Sequence, residues 1–396
     1  MQKLTVSRDD EVYEAFADIA RTLDGILVCT YRESMAHGPW PFSRIVVRHS
    51  EDGGYTWQPR QVVIEKDGEK GEGRLNCSRI TVCRDGTLLL IVDFYAPGRD
   101  RLVNPVENLL FWSSDSGRTW EGPVETGITD GIVPSIKELS NGNLLVGVTR
   151  QRSTDGRLSG LKEEQTIYRS GDGGRTWEGP SVVPAPPYLR LNEGDFAELD
   201  DGTVVCYMRE DGERFTGWKS TSDDGGRTWS EAFRSQMHSC LGRPSVGRVR
   251  SGEIVVTYRF CSAVSTSLAL YVETTAEAVR RDDPNPNDYA TDYRQARFAF
   301  LDNDRSLHPD SGYSGWVQLP SGDLYVVNYI TDDAPRAFIR GYIVSRHDWF
   351  LFPEGAVPWL HPSSTQPYVE LSAEWTRKQH ERNRTEDWSR YVPTQK

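Results

Sequence analysis

The chain has 396 residues, 37% apolar and 26% charged, which is enough for one or two hydrophobic cores. A formal net charge of −12, with basic residues dispersed along the chain, argues against nucleic acid and anionic membrane surfaces as partners. No apolar run reaches the length of a membrane span or forms a signal peptide, so a cytoplasmic location is expected.

In chain order, the first predicted element is a short strand at residues 3–6, KLTV. One pattern then recurs six times: a small or acidic residue, a Gly, and four or more mostly apolar residues. It reads DGILVC, DGTLLLIV, NGNLLVGV, DGTVVCYM, SGEIVVTY and SGDLYVVNY, with glycines at 25, 86, 142, 202, 252 and 322. The intervals are 61, 56, 60, 50 and 70 residues. Each copy predicts a hairpin turn feeding a strand, with another short apolar strand before it. A second repeat, Ser-x-Asp-x-Gly-x-Thr-Trp, stands at 50–57, 113–120, 170–177 and 222–229. Asp suits a tight turn by accepting from nearby N–H groups, Gly by adopting positive φ, and the Trp by packing beneath. The six cysteines sit mostly inside apolar runs with no CxxC pair or metal spacing. They predict buried reduced thiols, and neither a metal nor a cofactor is expected.

The eight-residue motif is an Asp box, and through it the chain resembles the sialidase-like (BNR repeat) superfamily of propellers. The resemblance implies that each box joins the third and fourth strands of a blade, far from the catalytic mouth. Its aspartates are then turn-formers, and an EF-hand-like acidic spacing is absent. Six glycine repeats count the blades of an all-β, six-bladed β-propeller of four-stranded antiparallel blades over residues 1–350. The last two blades lack the box, and residues 3–6 supply the outer strand that closes the ring. Residues 351–396, broken by Pro and then charged, predict a C-terminal extension with a short helix.

The six glycines also serve as a ruler. Nine residues before them stand Phe16, Cys77, Val133, Glu193, Arg243 and Tyr313; seven before stand Asp18, Arg79, Ser135, Asp195, Ser245 and Gly315. Seven after stand Arg32, Asp93, Thr149, Arg209, Arg259 and Tyr329. Alternation along a strand and antiparallel pairing place all three sets on one rim of the channel. Charges there are costly unless paired in a wet channel or used in function.

The resemblance assigns roles to some of them. Family members carry an Asn-Glu pair, a Gly nine residues after the Glu and an Arg seven further on; Asn192, Glu193, Gly202 and Arg209 fit. Tyr313-Ser314 with Gly322 fits the family's Tyr-Ser pair. By resemblance Tyr313 is the nucleophile, Glu193 its base, and Arg209 a grip for a substrate carboxylate, a task suited to a planar guanidinium. The departures are specific. Asp18-Ile19-Ala20 replaces the family's first Arg-Ile-Pro segment, no arginine stands in SAVSTSLAL, and the acid/base Asp is missing from MAHGPWPFS, where His37 is the titratable group. These changes argue against sialic acid as the substrate.

The resulting expectation is a carbohydrate-active enzyme, a glycoside hydrolase on another sugar. Tyr313 and Glu193 are the central pair, with Asp18 or His37 as proton donor. Arg32, Arg79, Arg209, Arg243, Arg259 and Asp195 are the substrate-binding candidates. Trp40 and Phe42 are the candidates for a stacking platform, and His308 with Asp310 for a second proton relay. Two alternatives stay open: a uronate-directed lyase, and a noncatalytic glycan-binding propeller.

Overall fold

The computed structural model describes residues 1–38, 41–97, 107–129, 131–153, 161–212, 216–262, 265–281, 296–349 and 378. The chain divides into two units, Met1–Asp282 with Gln295–Phe350, and Asp283–Arg294 with Leu351–Lys396. In the second only Lys378 is described, so the expected C-terminal extension lies outside the described residues, as does Trp40.

The first unit is built from six four-stranded antiparallel sheets arranged as blades. The chain opens with β1 (Gln2–Ser7), then β2–β5 (Tyr13–Arg21, Leu27–Ser34, Phe42–Ser50, Gln61–Asp67) form the first blade. The second is β6–β9 (Arg74–Val82, Leu88–Tyr95, Glu107–Ser113, Glu121–Glu125), and the third β10–β13 (Gly131–Glu138, Leu144–Ser153, Leu161–Ser170, Glu178–Val182). The fourth is β14–β17 (Leu191–Glu198, Val204–Glu210, Thr216–Ser222, Phe233–His238), and the fifth β18–β21 (Ser245–Arg248, Ile254–Cys261, Thr266–Glu273, Ala296–Asn303). The sixth combines β22–β24 (Ser311–Gln318, Leu324–Ile330, Phe338–Val344) with β1, which pairs antiparallel to β24 from Gln2↔Ile343 onward. Innermost strands touch in cyclic order, β22 returning to β2, so the ring is closed as the sequence predicts. Alternating apolar residues fill the space between neighbouring sheets, and all six cysteines are free, five of them buried.

The four eight-residue turns join the third and fourth strands of blades one to four. All four use one hydrogen-bond scheme. In the first, Ser50 Oγ donates to Asp52 Oδ1 at 2.8 Å, and Thr56 N–H and Oγ1 donate to the same carboxylate at 2.9 and 2.6 Å. Gly54 has φ +95°, and a Cβ there would lie 2.0 Å from the Tyr325 ring. Only glycine permits that conformation and that approach. Three of the four tryptophans are half-buried; Trp229 alone is fully packed away.

One feature departs from the regular alternation. In five blades the inner strand carries an extra residue against its partner: between Ala15 and Asp18, Leu75 and Ser78, Ile132 and Ser135, Asn192 and Asp195, and Gly312 and Gly315. β18 has no such bulge. A bulge re-aims the side chains around it.

Candidate active site

Glu193 and Tyr313 both stand within these bulges, in blades four and six. The bulge holds Glu193 at φ +50°, a backbone state a non-glycine residue keeps only where its surroundings fix it. Here the third blade does so: Glu193 N–H donates to Thr149 Oγ1 at 2.8 Å and Gly194 N–H to Gln165 Oε1 at 2.7 Å. The Tyr313 hydroxyl donates to Glu193 Oε1, and Arg209, near the end of β15, donates from Nη1 to Oε2 at 2.9 Å. Arg209 Nε donates to Asp211 Oδ1 at 2.8 Å, which fixes the plane of the guanidinium.

Burial opposes charge on Glu193, yet Arg209 and the Tyr313 hydroxyl hold its carboxyl below the usual carboxylate range. Burial first, and the Glu193 charge second, push the Tyr313 phenol above its ordinary value. The proton therefore rests on Tyr313, with Glu193 ready to accept it. Arg259 and Arg79 lie over the Tyr313 ring, 5.4 and 5.7 Å from its centroid.

His37 also packs against the Phe16 ring. The Phe16 centroid is 5.1 Å from the His37 ring and 5.1 Å from the Tyr313 ring. His37 Nδ1 is 2.6 Å from Asp310 Oδ2. The same carboxylate accepts from the Tyr13 hydroxyl and, at 2.8 Å, from Tyr329. Burial pushes Asp310 up, but its bonds to His37, Tyr13 and Tyr329 hold it below the usual range. Nδ1 thus serves the carboxylate, and Nε2 is the nitrogen that can serve a substrate. A cavity of about 160 Å³ lies among Phe16, His37, Asn76, Cys77, Glu193 and Tyr313.

The three ruler sets do not share one rim. The extra residue in each bulge breaks the alternation, so Phe16, Cys77, Glu193 and Tyr313 turn to the cavity while residues two further on enter the contacts between blades. Asp18 Oδ2 accepts from Ile80 N–H at 3.2 Å and Asp195 Oδ2 from Val246 N–H at 2.7 Å, each on the following blade. Burial pushes the Asp195 carboxyl above its usual range. Arg243, on the blade without a bulge, donates to the carbonyls of Pro134, at 3.1 Å, and Ser314. Asp18, Asp195 and Arg243 do not line the cavity. Arg79 donates to Pro134 O at 2.8 Å while stacking on Tyr313.

Arg32 is fully buried, bonded to Asn76 Oδ1 at 2.8 Å and to the carbonyls of Ala36 and His37, so it shapes the His37 loop. Phe42 sits under Arg44 on the first blade, outside the cavity lining. Asp310 pairs with His37 rather than with its sequence neighbour His308, which lines a separate groove. Sequence reasoning missed Asn76, Tyr13 and Asp211. Asn76 carried a usable signal, since it precedes ruler position Cys77 as Asn192 precedes Glu193.

No protein-family model matches the chain, and no curated protein matches it in sequence. Solved structures do. A protein of unknown function from Dyadobacter fermentans is 21% identical with a TM-score of 0.68, over 87% of this chain and 98% of its own. The Hadza microbial sialidase Hz136 is 17% identical with a TM-score of 0.67, over 88% of this chain and 69% of its own. The α-L-arabinofuranosidase Arb93A from Fusarium graminearum is 16% identical with a TM-score of 0.57, over 88% of this chain and 99% of its own. The chain shares its fold, a six-bladed propeller of four-stranded blades, with solved sialidase structures. Its scaffold is thus one that carbohydrate-active proteins use.

Proposed function

We propose that the chain is a glycoside hydrolase acting on a sugar other than sialic acid, with Tyr313 as nucleophile and Glu193 as its base. The observation that carries this is the Tyr313 hydroxyl donating to the buried Glu193, whose second oxygen is held by Arg209. A phenol held above its ordinary range by burial and by the Glu193 charge attacks at neutral pH only if a neighbouring base takes its proton as the bond forms. The structural neighbours' names, a sialidase and an arabinofuranosidase, support the glycoside class and differ in the sugar.

In this reading Tyr313 Oη attacks the anomeric carbon and its proton passes to Glu193. The glycosidic C–O bond breaks, and the leaving oxygen takes a proton from His37 Nε2, with the imidazolium steadied by Asp310. Water then attacks the glycosyl-tyrosine carbon, giving its proton to His37, while Glu193 returns the first proton to Tyr313. Two displacements retain the anomeric configuration. Arg209 and Arg259 stabilise the partial charge that builds on the phenol oxygen as its bond to the sugar forms and breaks.

The test is a screen of the purified protein against chromogenic glycosides and uronate-terminated oligosaccharides, with Tyr313→Phe and Glu193→Gln alongside. Turnover by the wild type and a fall of roughly a thousandfold or more in both variants are expected. New reducing ends without unsaturated-uronate absorbance exclude elimination, whereas that absorbance rising with the reducing ends would replace hydrolysis by elimination. Glycan binding that neither variant disturbs, with no turnover on any substrate, would replace it by simple recognition.

A further inference from the structure

A second hollow opens beside the cavity. This groove of about 720 Å³ is formed by the segment after β3, the segment before β22 and the loop between β23 and β24. Met35, Leu307, Pro309 and Pro335 give it apolar faces, and His308 and Arg336 give it polar edges. Leu307 is 95% exposed, so its apolar surface is open to whatever enters the groove. Of the described residues lining the cavity and the groove, His37 alone lines both.

That sharing has a chemical meaning. A general acid must reach the glycosidic oxygen, which lies between the sugar being released and the group it leaves. If His37 is that acid, the oxygen sits where the two hollows meet, with one substrate part on each side. Tyr313 and Glu193 mark the cavity as the place of the attacked ring. We infer that the groove is the leaving-group subsite and takes the remaining sugar residues of an oligosaccharide. Sugar rings present apolar faces and polar rims, which the groove matches. The cavity is the size of a single ring, so the residue removed is the terminal one and the longer remainder lies in the groove.

The inference rests on the hydrolase reading, and its test separates the two. Two kinds of probe are used: glycosyl fluorides, whose one-atom leaving group does not reach the groove, and trisaccharides with the same terminal sugar. The variant is Leu307→Asp with His308→Ala, both exposed positions. We expect its KM for the trisaccharide to rise roughly tenfold or more while its kinetics on the fluoride stay unchanged. An equal change on both probes, or no change on the trisaccharide, overturns the subsite. Failure of the wild type on every fluoride and trisaccharide refutes the hydrolase reading instead. The groove is then judged by binding, from the methyl resonance of 13C-labelled Met35 during titration with cellotriose, xylotriose and 1,5-α-L-arabinotriose. A shift in the wild type that the variant loses supports the subsite, and no shift overturns it.

Discussion

Asp310 decides which nitrogen of His37 is available. With Nδ1–H donating to the carboxylate, neutral His37 carries its lone pair on Nε2, and protonated His37 offers an Nε2 proton. Asp310→Ala removes that acceptor, so the two neutral tautomers should mix, read directly from the His37 15N shifts. Turnover should fall by about 10²–10⁴-fold, the span of one lost proton-transfer group, and Asp310→Glu should restore part of it. A quite different carboxyl is expected to set the pH dependence of stability. Glu14 is fully buried, bonded through Oε1 to Ser7 at 2.6 Å, and its Oε2 has no partner. Burial, reinforced by nearby Glu33, pushes it up to about 7. Its folded pKa thus exceeds its unfolded one, and the stability this supplies is complete below the unfolded value and lost as pH rises through about 7. Glu14→Gln should therefore leave thermal stability near pH 4 almost unchanged and raise it at pH 8 by about 1–3 kcal/mol, checked by paired melts. At this scale the sequence was informative about residue types and silent about partners. His37 and Asp310 were each visible, but they stand 273 positions apart, and only the closed ring makes the first and last blades neighbours.

The bulged inner strands sort the ruler positions into cavity and interior. The ruler located the right stretch of chain because turn glycines and apolar runs are local signals. It misjudged Asp18 and Asp195 because a bulge is a register choice between two strands, set by the partner's contacts rather than by the composition of the bulged strand. Blade four shows those contacts. A Cβ on Gly194 would lie 2.8 Å from both Cys206 Sγ and Gln165, so a side chain there forces the bulge to shift. Gly194→Ala should lower kcat at least roughly tenfold by displacing the Glu193 carboxylate while the far-ultraviolet spectrum of the sheets persists. An unchanged kcat would show that the bulge does not position Glu193. The eight-residue turns were the most legible elements of all, since serine, aspartate and threonine satisfy one another within eight residues and need nothing from elsewhere.

At the scale of the molecule, stability depends on β1 completing the sixth blade. Lys3 Nζ contacts Asp302 Oδ1 at 2.5 Å, and Arg340 Nη1 contacts the same carboxylate at 2.8 Å, so the closing strand is tied to both blade five and blade six. Deleting residues 1–7 would leave β24 with an unpaired edge, a ready template for association. The truncated protein should melt at least several degrees lower and show aggregates by light scattering, while point changes in the eight-residue turns leave it monodisperse. Equal melting temperatures would mean that the ring does not need its closing strand. The KLTV segment was legible as that strand because a propeller with an open blade exposes a sheet edge, and the sequence offered one spare strand to cover it.

The pairing of Gln2 with Ile343 also imposes a schedule. During synthesis β1 leaves the ribosome first, and its partner comes more than three hundred residues later. At about 5–20 residues per second that is a wait on the order of tens of seconds, during which blades one to five can form and β1 cannot. The ring is therefore a clock as well as a shape: its first strand is the last to find its place.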